Sequence, residues 1–327
     1  MATRTLRYRE ALREAMIEEM ERDPNVLVLG EEVGHYDGAY KVTEGMLAKF
    51  GARRVLDTPI AEAGFAGIAI GASMVGLRPI VEFMTWNFSA VAFDQILNNA
   101  AKLRQMSGGQ LNCPIVFRGP NASAKQVGSQ HSHAMEHFYA TIPGLKVVAP
   151  AFPQDAKAMM KTAVRDDDPV CFMESETLYS VKGEVDDAIE TIPFGVAKVV
   201  RPGTRCTLLT YSRMTHVCLE AAAALAEKGI DVEVVDLRSL RPLDEETMVR
   251  SVRKTHHCVV VHEGWPYGGV GAEVVDRVQR LAFDSLDGPV LRVTTYDVPM
   301  PYNATLEQLC MPNVARVVAT VERLLAR

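Results

Sequence analysis

The sequence predicts an α/β protein of two domains: a parallel sheet covered by helices on both faces, then a smaller domain of the same kind. Three observations predict it. Short apolar runs ending in turn residues alternate with segments of helical periodicity through the first half of the chain. The alternation stops from Ser180 to Ile192, where VKGEVDDAIETIP is acidic and closes on proline, as a linker does. A second alternating series follows it. The expected division is therefore 1–185 and 186–327, and 327 residues suffice for two hydrophobic cores.

The elements follow in order. Leu12, Ala15, Met16 and Met20 recur at helical spacing, so Thr5 to Arg22 is expected to be an amphipathic helix stopped by Asp23-Pro24. Val26 to Leu29 is a short apolar run before Gly30, the pattern of a buried parallel strand. Further strands are expected at Pro79–Phe83, Ile115–Phe117, Lys146–Ala149 and Val170–Met173, with helices over Glu62–Val75, Val91–Gln105 and Gln154–Val164. The second series predicts strands at Thr207–Tyr211, Val232–Leu237, Cys258–His262 and Leu291–Thr295. Its helices are His216–Lys228, Asp244–Lys254 and Val270–Leu281. Gly268-Gly269-Val270-Gly271 lacks the third glycine of a dinucleotide fingerprint and is expected to be a tight strand-to-helix turn.

Nearly half the residues are apolar and under a quarter charged, as in folded globular chains, and the net charge of -6 gives no reason to expect nucleic acid or an anionic membrane as partner. The longest uncharged stretch, Gly64 to Leu77, is too short to span a bilayer. The opening MATRTLRYREALREAMIEEM has acidic residues and no apolar core, so no targeting peptide is expected and the cytoplasm is the default location. Six scattered cysteines without a C-x-x-C pair read as small buried hydrophobes. His131, His133 and His137, with Glu136 among them, could mark a metal site, but no distant cysteine or acidic motif completes a shell.

Several longer strings carry more information: LGEEVGHYDGAYKVTEGM (Leu29–Met46), DTPIAEAGFAGIAIGASMVGLRPIVEFMTWNFS (Asp57–Ser89), FRGPN (Phe117–Asn121), SQHSH (Ser129–His133), PGLKVVAP (Pro143–Pro150), GWPYGGVGAEV (Gly264–Val274) and DVPMPY (Asp297–Tyr302). In this order, over essentially the whole chain, they resemble the β subunits of the 2-oxo acid dehydrogenase family, in particular those of the pyruvate dehydrogenase first component. The resemblance implies a thiamine-diphosphate-binding pyrimidine domain of transketolase type followed by a transketolase C-terminal domain. It also implies an α subunit in an α2β2 assembly, pyruvate as substrate, and a dihydrolipoyl acyltransferase core as acceptor. The chain has no G-D-G string; Tyr36-Asp37-Gly38 lacks the leading glycine. In two-chain members that motif, with its magnesium ion, resides in the α subunit.

The resemblance also assigns residues. Glu62 in TPIAEAGFAG matches the glutamate that hydrogen-bonds the cofactor's pyrimidine nitrogen. Burial there would favour its protonated form, and a helix N-terminus would pull the other way. Phe88 and Met84 match residues that wall the aminopyrimidine, and Glu31 an acidic residue near the cofactor. His131 in SQHS matches the active-site histidine, suited to binding a carboxylate and moving protons. His133 and His137 stand where other residues are common. Ile115, Ala163, Val164, Asp166 and Asp168 match a structural potassium site, with Asp168 in place of asparagine. Gly67 and Gly71 fall in a region of subunit contact, and Asp287 matches a position that contacts the acyltransferase core.

A branched-chain 2-oxo acid or acetoin dehydrogenase β subunit would share Glu62 and His131, though DTPIAEAGFAG and FMTWNF look more like the pyruvate branch. A non-catalytic scaffold subunit and a metal hydrolase built on the histidine cluster are the readings from other classes.

Overall fold

A computed structural model describes residues 3–326. In chain order its elements begin with β1 (Arg4–Arg7), α1 (Tyr8–Arg22), β2 (Val26–Gly30), α2 (Met46–Phe50), β3 (Val55–Asp57), α3 (Glu62–Met74) and β4 (Arg78–Glu82). There follow α4 (Leu103–Met106), β5 (Val116–Pro120), α5 (Glu136–Ala140), β6 (Lys146–Val148), α6 (Pro153–Arg165), β7 (Val170–Glu174), β8 (Lys182–Val185) and β9 (Lys198–Arg201). The chain ends with β10 (Cys206–Thr210), α7 (Arg213–Ala226), β11 (Val232–Asp236), β12 (Ser239–Arg241), α8 (Glu245–Thr255), β13 (Cys258–Val261), α9 (Gly269–Ala282), β14 (Leu291–Val293), α10 (Ala304–Cys310) and α11 (Val314–Leu325). It forms two compact units. The first runs to Asn121 and takes in Phe138–Val148 and Phe152–Phe194; the second holds Ala122–His137, Ala149–Ala151 and everything from Gly195 on.

In the first unit the strands lie in the order β6-β7-β5-β4-β2-β3, all parallel. Their residues are apolar on both sides because both faces are covered. On one face Leu12, Ala15, Met16 and Met20 of α1 and Ala156, Met159, Met160 and Ala163 of α6 pack on Val28, Ile80, Val116, Val148 and Phe172. On the other, Phe65 of α3 meets Phe83, which stacks on Phe117 at 6.0 Å between ring centres. β1 and β8 form a separate antiparallel pair.

In the second unit the strand order is β14-β13-β10-β11-β9, parallel except for the antiparallel edge strand β9. Cys218, Ala221, Ala222 and Leu225 of α7 and Val317, Val321 and Leu324 of α11 close over Leu208, Val234 and Val259. Helices α8 and α9 pack together against β10 and β13. The expected turn at Gly268-Gly271 is present: Gly268 caps α9, and a Cβ on Gly271 would sit 2.2 Å from Nε2 of the buried His262.

Three expectations need correction. The segment expected to be helical from Thr5 opens as β1, and α1 starts only at Tyr8, because pairing with β8 captures those residues. For the same reason the stretch expected to be pure linker contains β8. The helix expected over Val91–Gln105 is broken into a π-helical turn at Gln95–Ala100 and the short α4. The strands β3 and β9 and the helix α11 are further elements that the alternation did not yield.

One buried ion network spans the first sheet. Arg118 on β5 pairs with Glu82 on β4 and, through Nε at 2.5 Å and through Nη2, with Glu174 on β7. Tyr179 donates to Glu174 at 2.7 Å, and all four side chains are buried. Burial pushes the Glu82 carboxyl up to about 7 against the pull of Arg118, with the charge of Glu174 adding to the rise. The folded chain thus holds a proton that the unfolded chain releases above its ordinary 4.5. The stability this contributes is complete below that value and is lost as pH rises through about 7. Removing the guanidinium leaves Glu82 and Glu174 without their buried partner, so Arg118→Leu should lower the unfolding free energy by about 3–5 kcal/mol. Urea unfolding of the purified protein measures this; a loss of less than about 1 kcal/mol would show the network to be dispensable.

Candidate active site

Strands β2, β3 and β4 end level with one another, Gly30 lying beside Asp57 on one side and Glu82 on the other. This carboxyl edge of a parallel sheet is where such folds bind ligands. Backbones come unusually close there. A Cβ on Gly30 would meet the Glu82 carbonyl at 2.5 Å, and one on Gly119 of β5 would meet the Phe83 carbonyl at 2.3 Å.

Four residues singled out from the sequence leave this edge. Glu31 follows β2 directly and is 5% exposed; its Oε1 is buried without a hydrogen-bond partner among the described residues. Burial, and then the charge of Glu62, raise its pKa. Glu62, also 5% exposed, is the first residue of α3, so the structure brings these two carboxyls within electrostatic reach of each other. Met84 and Phe88 are half-buried just beyond β4. The turn carrying Phe88 (Trp86–Ala90) is pinned from below: Trp86 is fully buried and donates to the Phe172 carbonyl at 3.3 Å, and Ser89 shares a hydrogen bond with Tyr139 at 2.5 Å.

Helix α3 itself, EAGFAGIAIGASM, has no polar side. Phe65, Ala66, Ala69 and Ile70 face the sheet, while Ile60, just before the helix, and Ile68 are 84% and 69% exposed. Gly64, Gly71 and Val75 lie on the same outward side, and nothing stands within 4 Å of a Cβ built on Gly71. Gly67 instead packs against Gln95.

His131 belongs to the second unit, in a short turn at Ser129–His131, half-buried. Burial, and then the nearby charge of His131, lower the pKa of His133, whose ring lies 5.6 Å from that of Trp265. The other members of the histidine string turn elsewhere: Glu136 accepts from Tyr211 at 2.8 Å, and His137 Nδ1 lies 3.0 Å from the Ala134 carbonyl. Among the described residues no group of three or more His, Cys, Asp or Glu is arranged to hold a metal ion. Five of the six cysteines are buried and Cys310 partly so.

The residues matched to a potassium site do cluster, but cationic side chains already use their oxygens. Arg78 donates to the carbonyls of Val164 and Asp166 at 3.0 and 3.1 Å. Lys146 holds both Asp166 oxygens at 2.6 and 2.7 Å and Asp168 at 3.3 Å, and Arg104 pairs with Asp168 at 2.6 Å. The Ile115 carbonyl accepts from Val170 and that of Ala163 from Asp166. Val164, Asp166 and Asp168 thus face cationic side chains, while the Ile115 and Ala163 carbonyls each meet one backbone amide. Asp287 is exposed in a turn fixed by its amide to the His256 carbonyl at 2.9 Å.

The comparisons with known proteins define the class first. Residues 4–182 match the model described as transketolase, pyrimidine binding domain, and residues 195–317 that described as transketolase, C-terminal domain. A solved structure titled split gene transketolase, inactive beta4 tetramer, superposes with a TM-score of 0.80 at 26% identity over 98% of both chains. Among curated relatives, the pyruvate dehydrogenase E1 component subunit beta of Rickettsia felis is 53% identical, covering 96% of this chain and 97% of its own. The mitochondrial protein of the same description from Drosophila melanogaster is 50% identical over 99% and 90%. The chain belongs to the family of pyruvate dehydrogenase E1 β subunits.

Sequence reading by resemblance did not reach the buried partners Glu82, Arg118, Glu174 and Tyr179. A signal for three of them was present: Glu82, Arg118 and Glu174 each follow directly on an apolar run within β4, β5 and β7.

Proposed function

We propose that this chain is the β subunit of a thiamine-diphosphate-dependent dehydrogenase that decarboxylates pyruvate and acetylates the lipoyl group of a dihydrolipoyl acyltransferase, sharing its active site with an α subunit in an α2β2 assembly. The observation that carries the reading is the pair Glu31–Glu62 at the carboxyl edge of the sheet, one oxygen unpartnered, beside an apolar helix whose outer side is uncovered. An orphaned buried carboxyl oxygen asks for a donor or acceptor from outside the chain. A contiguous apolar surface asks for a partner. Domains divided at 185/186 and retention in the cytoplasm belong to the same proposal; among the described residues, no helix is long and apolar enough to cross a membrane.

The residues fit the pyrimidine end of the cofactor: Glu62 would hold its ring nitrogen, Phe88 and Met84 would wall it, and Glu31 would stand beside Glu62. When bound, thiamine diphosphate supplies the nucleophilic carbon that attacks a 2-oxo acid. The chain's own work is to move protons and exclude water. Glu62, at the positive end of α3, would exchange a proton with the ring nitrogen it would hold. Glu31, inclined to keep its proton by burial and by Glu62, can pass one on. His131 would give or take a proton at its imidazole as the lipoyl thiol reacts. The diphosphate and magnesium fall to the α subunit, because no G-D-G string exists here. A potassium ion at Ile115, Ala163, Val164, Asp166 and Asp168 would share the oxygens of Val164, Asp166 and Asp168 with Arg78, Lys146 and Arg104. Asp287 is proposed as an acidic contact for the basic subunit-binding module of the acyltransferase.

Purified alone, the chain should show no pyruvate decarboxylation with a dye as electron acceptor, and activity should appear on mixing with its α partner. Full activity of the β chain by itself would end the shared-site model; the split-gene transketolase, titled an inactive tetramer of β chains, is in keeping with it. In the reconstituted assembly Glu62→Gln should fold and assemble but slow hydrogen–deuterium exchange at the cofactor's thiazolium carbon by about 10²–10⁴-fold. An unchanged exchange rate removes Glu62 from that role. Asp287→Lys should weaken calorimetric binding of the assembly to the isolated subunit-binding module at low salt, with dye-linked turnover preserved. Equal affinity for wild type and variant would eliminate Asp287 as a contact.

A further inference from the structure

Charged side chains from three separate elements of the second unit converge on one residue, Ser123. Its hydroxyl donates to Glu307 Oε1 at 2.8 Å, from the first turn of α10. Its carbonyl accepts from Arg213 Nη1 at 3.5 Å, at the start of α7. Its amide faces the Glu263 carboxylate beyond β13 and works against the rise that burial imposes on that carboxyl's pKa, and Arg213 Nε pairs with the same carboxylate at 2.5 Å. The second oxygen of Glu307 accepts from the Gln126 amide at 3.0 Å, so one buried carboxylate grips the chain at two places.

What it grips is the base of the loop that carries His131. The chain leaves at Ala122 and returns where the Ala122 amide donates to the His133 carbonyl at 3.0 Å. Within it, Ser132 Oγ donates to the Gly128 carbonyl at 2.7 Å, closing the turn at His131. Ala122 (φ 65°) and Gln126 (φ 56°) both occupy the left-handed region, which residues with a Cβ adopt only when their surroundings hold them there. Burying a carboxylate also costs free energy unless donors compensate it. Glu307 meets both needs at once: its charge strengthens the two bonds, and the bonds keep two unfavourable backbone conformations in place.

We propose that Glu307 is a positioning residue for His131, acting through Ser123 and Gln126 to fix the loop from Ala122 to His133. This rests on the reading of His131 as the active-site histidine. Glu307 touches neither reacting atom nor cofactor in this scheme; its contribution is the orientation of an imidazole that must meet two substrates in turn.

The test uses the assembly with its α subunit, pyruvate, and an isolated lipoyl domain as acceptor. Glu307→Gln keeps the shape and loses the charge. It should lower kcat for lipoyl acetylation on the order of tenfold, with KM for pyruvate changed by less than about twofold. Amide exchange over residues 122–133 should quicken while β10 and β13 stay protected. In a His131→Ala background the same change should add nothing, since a positioning residue has no effect without the group it positions. Kinetics and exchange both at wild-type level in Glu307→Gln, or losses that multiply with those of His131→Ala, would overturn the proposal. Wild-type acetylation by His131→Ala alone would instead refute the role given to His131, while the exchange measurement would still report whether Glu307 holds the loop. Should Glu307→Gln fail to assemble, Ser123→Ala removes one of the two bonds from the loop side, and the same readings decide.

Discussion

A single guanidinium sets the frame of the first unit. Arg118 lies on β5, between β4 and β7, and answers a carboxylate on each. Hydrogen bonding within a ladder allows strands to slip in steps; a buried charge with one partner on either side does not, because any slip leaves carboxylates unpaired in an apolar interior. The register that results puts Glu82 and Gly30 side by side, and the segments carrying Glu31 and Met84 leave from there. The positions proposed to hold a cofactor thus depend on an ion network that need not touch it.

That frame leaves an edge unfinished. Among the described residues Glu31 keeps a buried oxygen without a partner, and α3 and its flanks turn isoleucines, glycines and a valine outward where a helix of a self-sufficient protein would show charge. Both features are costly for an isolated chain and sensible for one that completes its site against another. A family whose members are subunits fits this economy of surface.

The second unit handles polar groups differently. Burial drives the His262 imidazole down to about 3, so it stays neutral, accepting the Gly264 amide at 3.1 Å and packing against Gly271. Nearby, Glu136 with Tyr211, Arg213 with Glu263, and Glu307 with Ser123 each join the segment from Ala122 to His137, or a residue bonded to it, to the α/β core. His133 sits beside His131, and burial, then the charge of that neighbour, depress the His133 pKa.

Periodicity alone determined much of this. The strands β2, β4, β5, β7, β10, β11 and β13 and the helices α3, α6, α7, α8 and α9 follow from apolar runs and helical spacing, since burial selects both. The strings around Glu62 and His131 were legible through their resemblance to those of 2-oxo acid dehydrogenase β subunits. Tertiary structure alone decided the rest. Arg4–Arg7 became a strand only because Lys182–Val185 lay available to pair with it. The expected helix over Val91–Gln105 was interrupted where the chain winds into a π-helical turn. Among the positions matched to potassium, Val164, Asp166 and Asp168 turned out to face Arg78, Lys146 and Arg104, residues far from them in sequence. Pairing between distant segments has no period to read; it depends on which groups the fold brings within a few ångströms, and that is fixed only when the whole core closes.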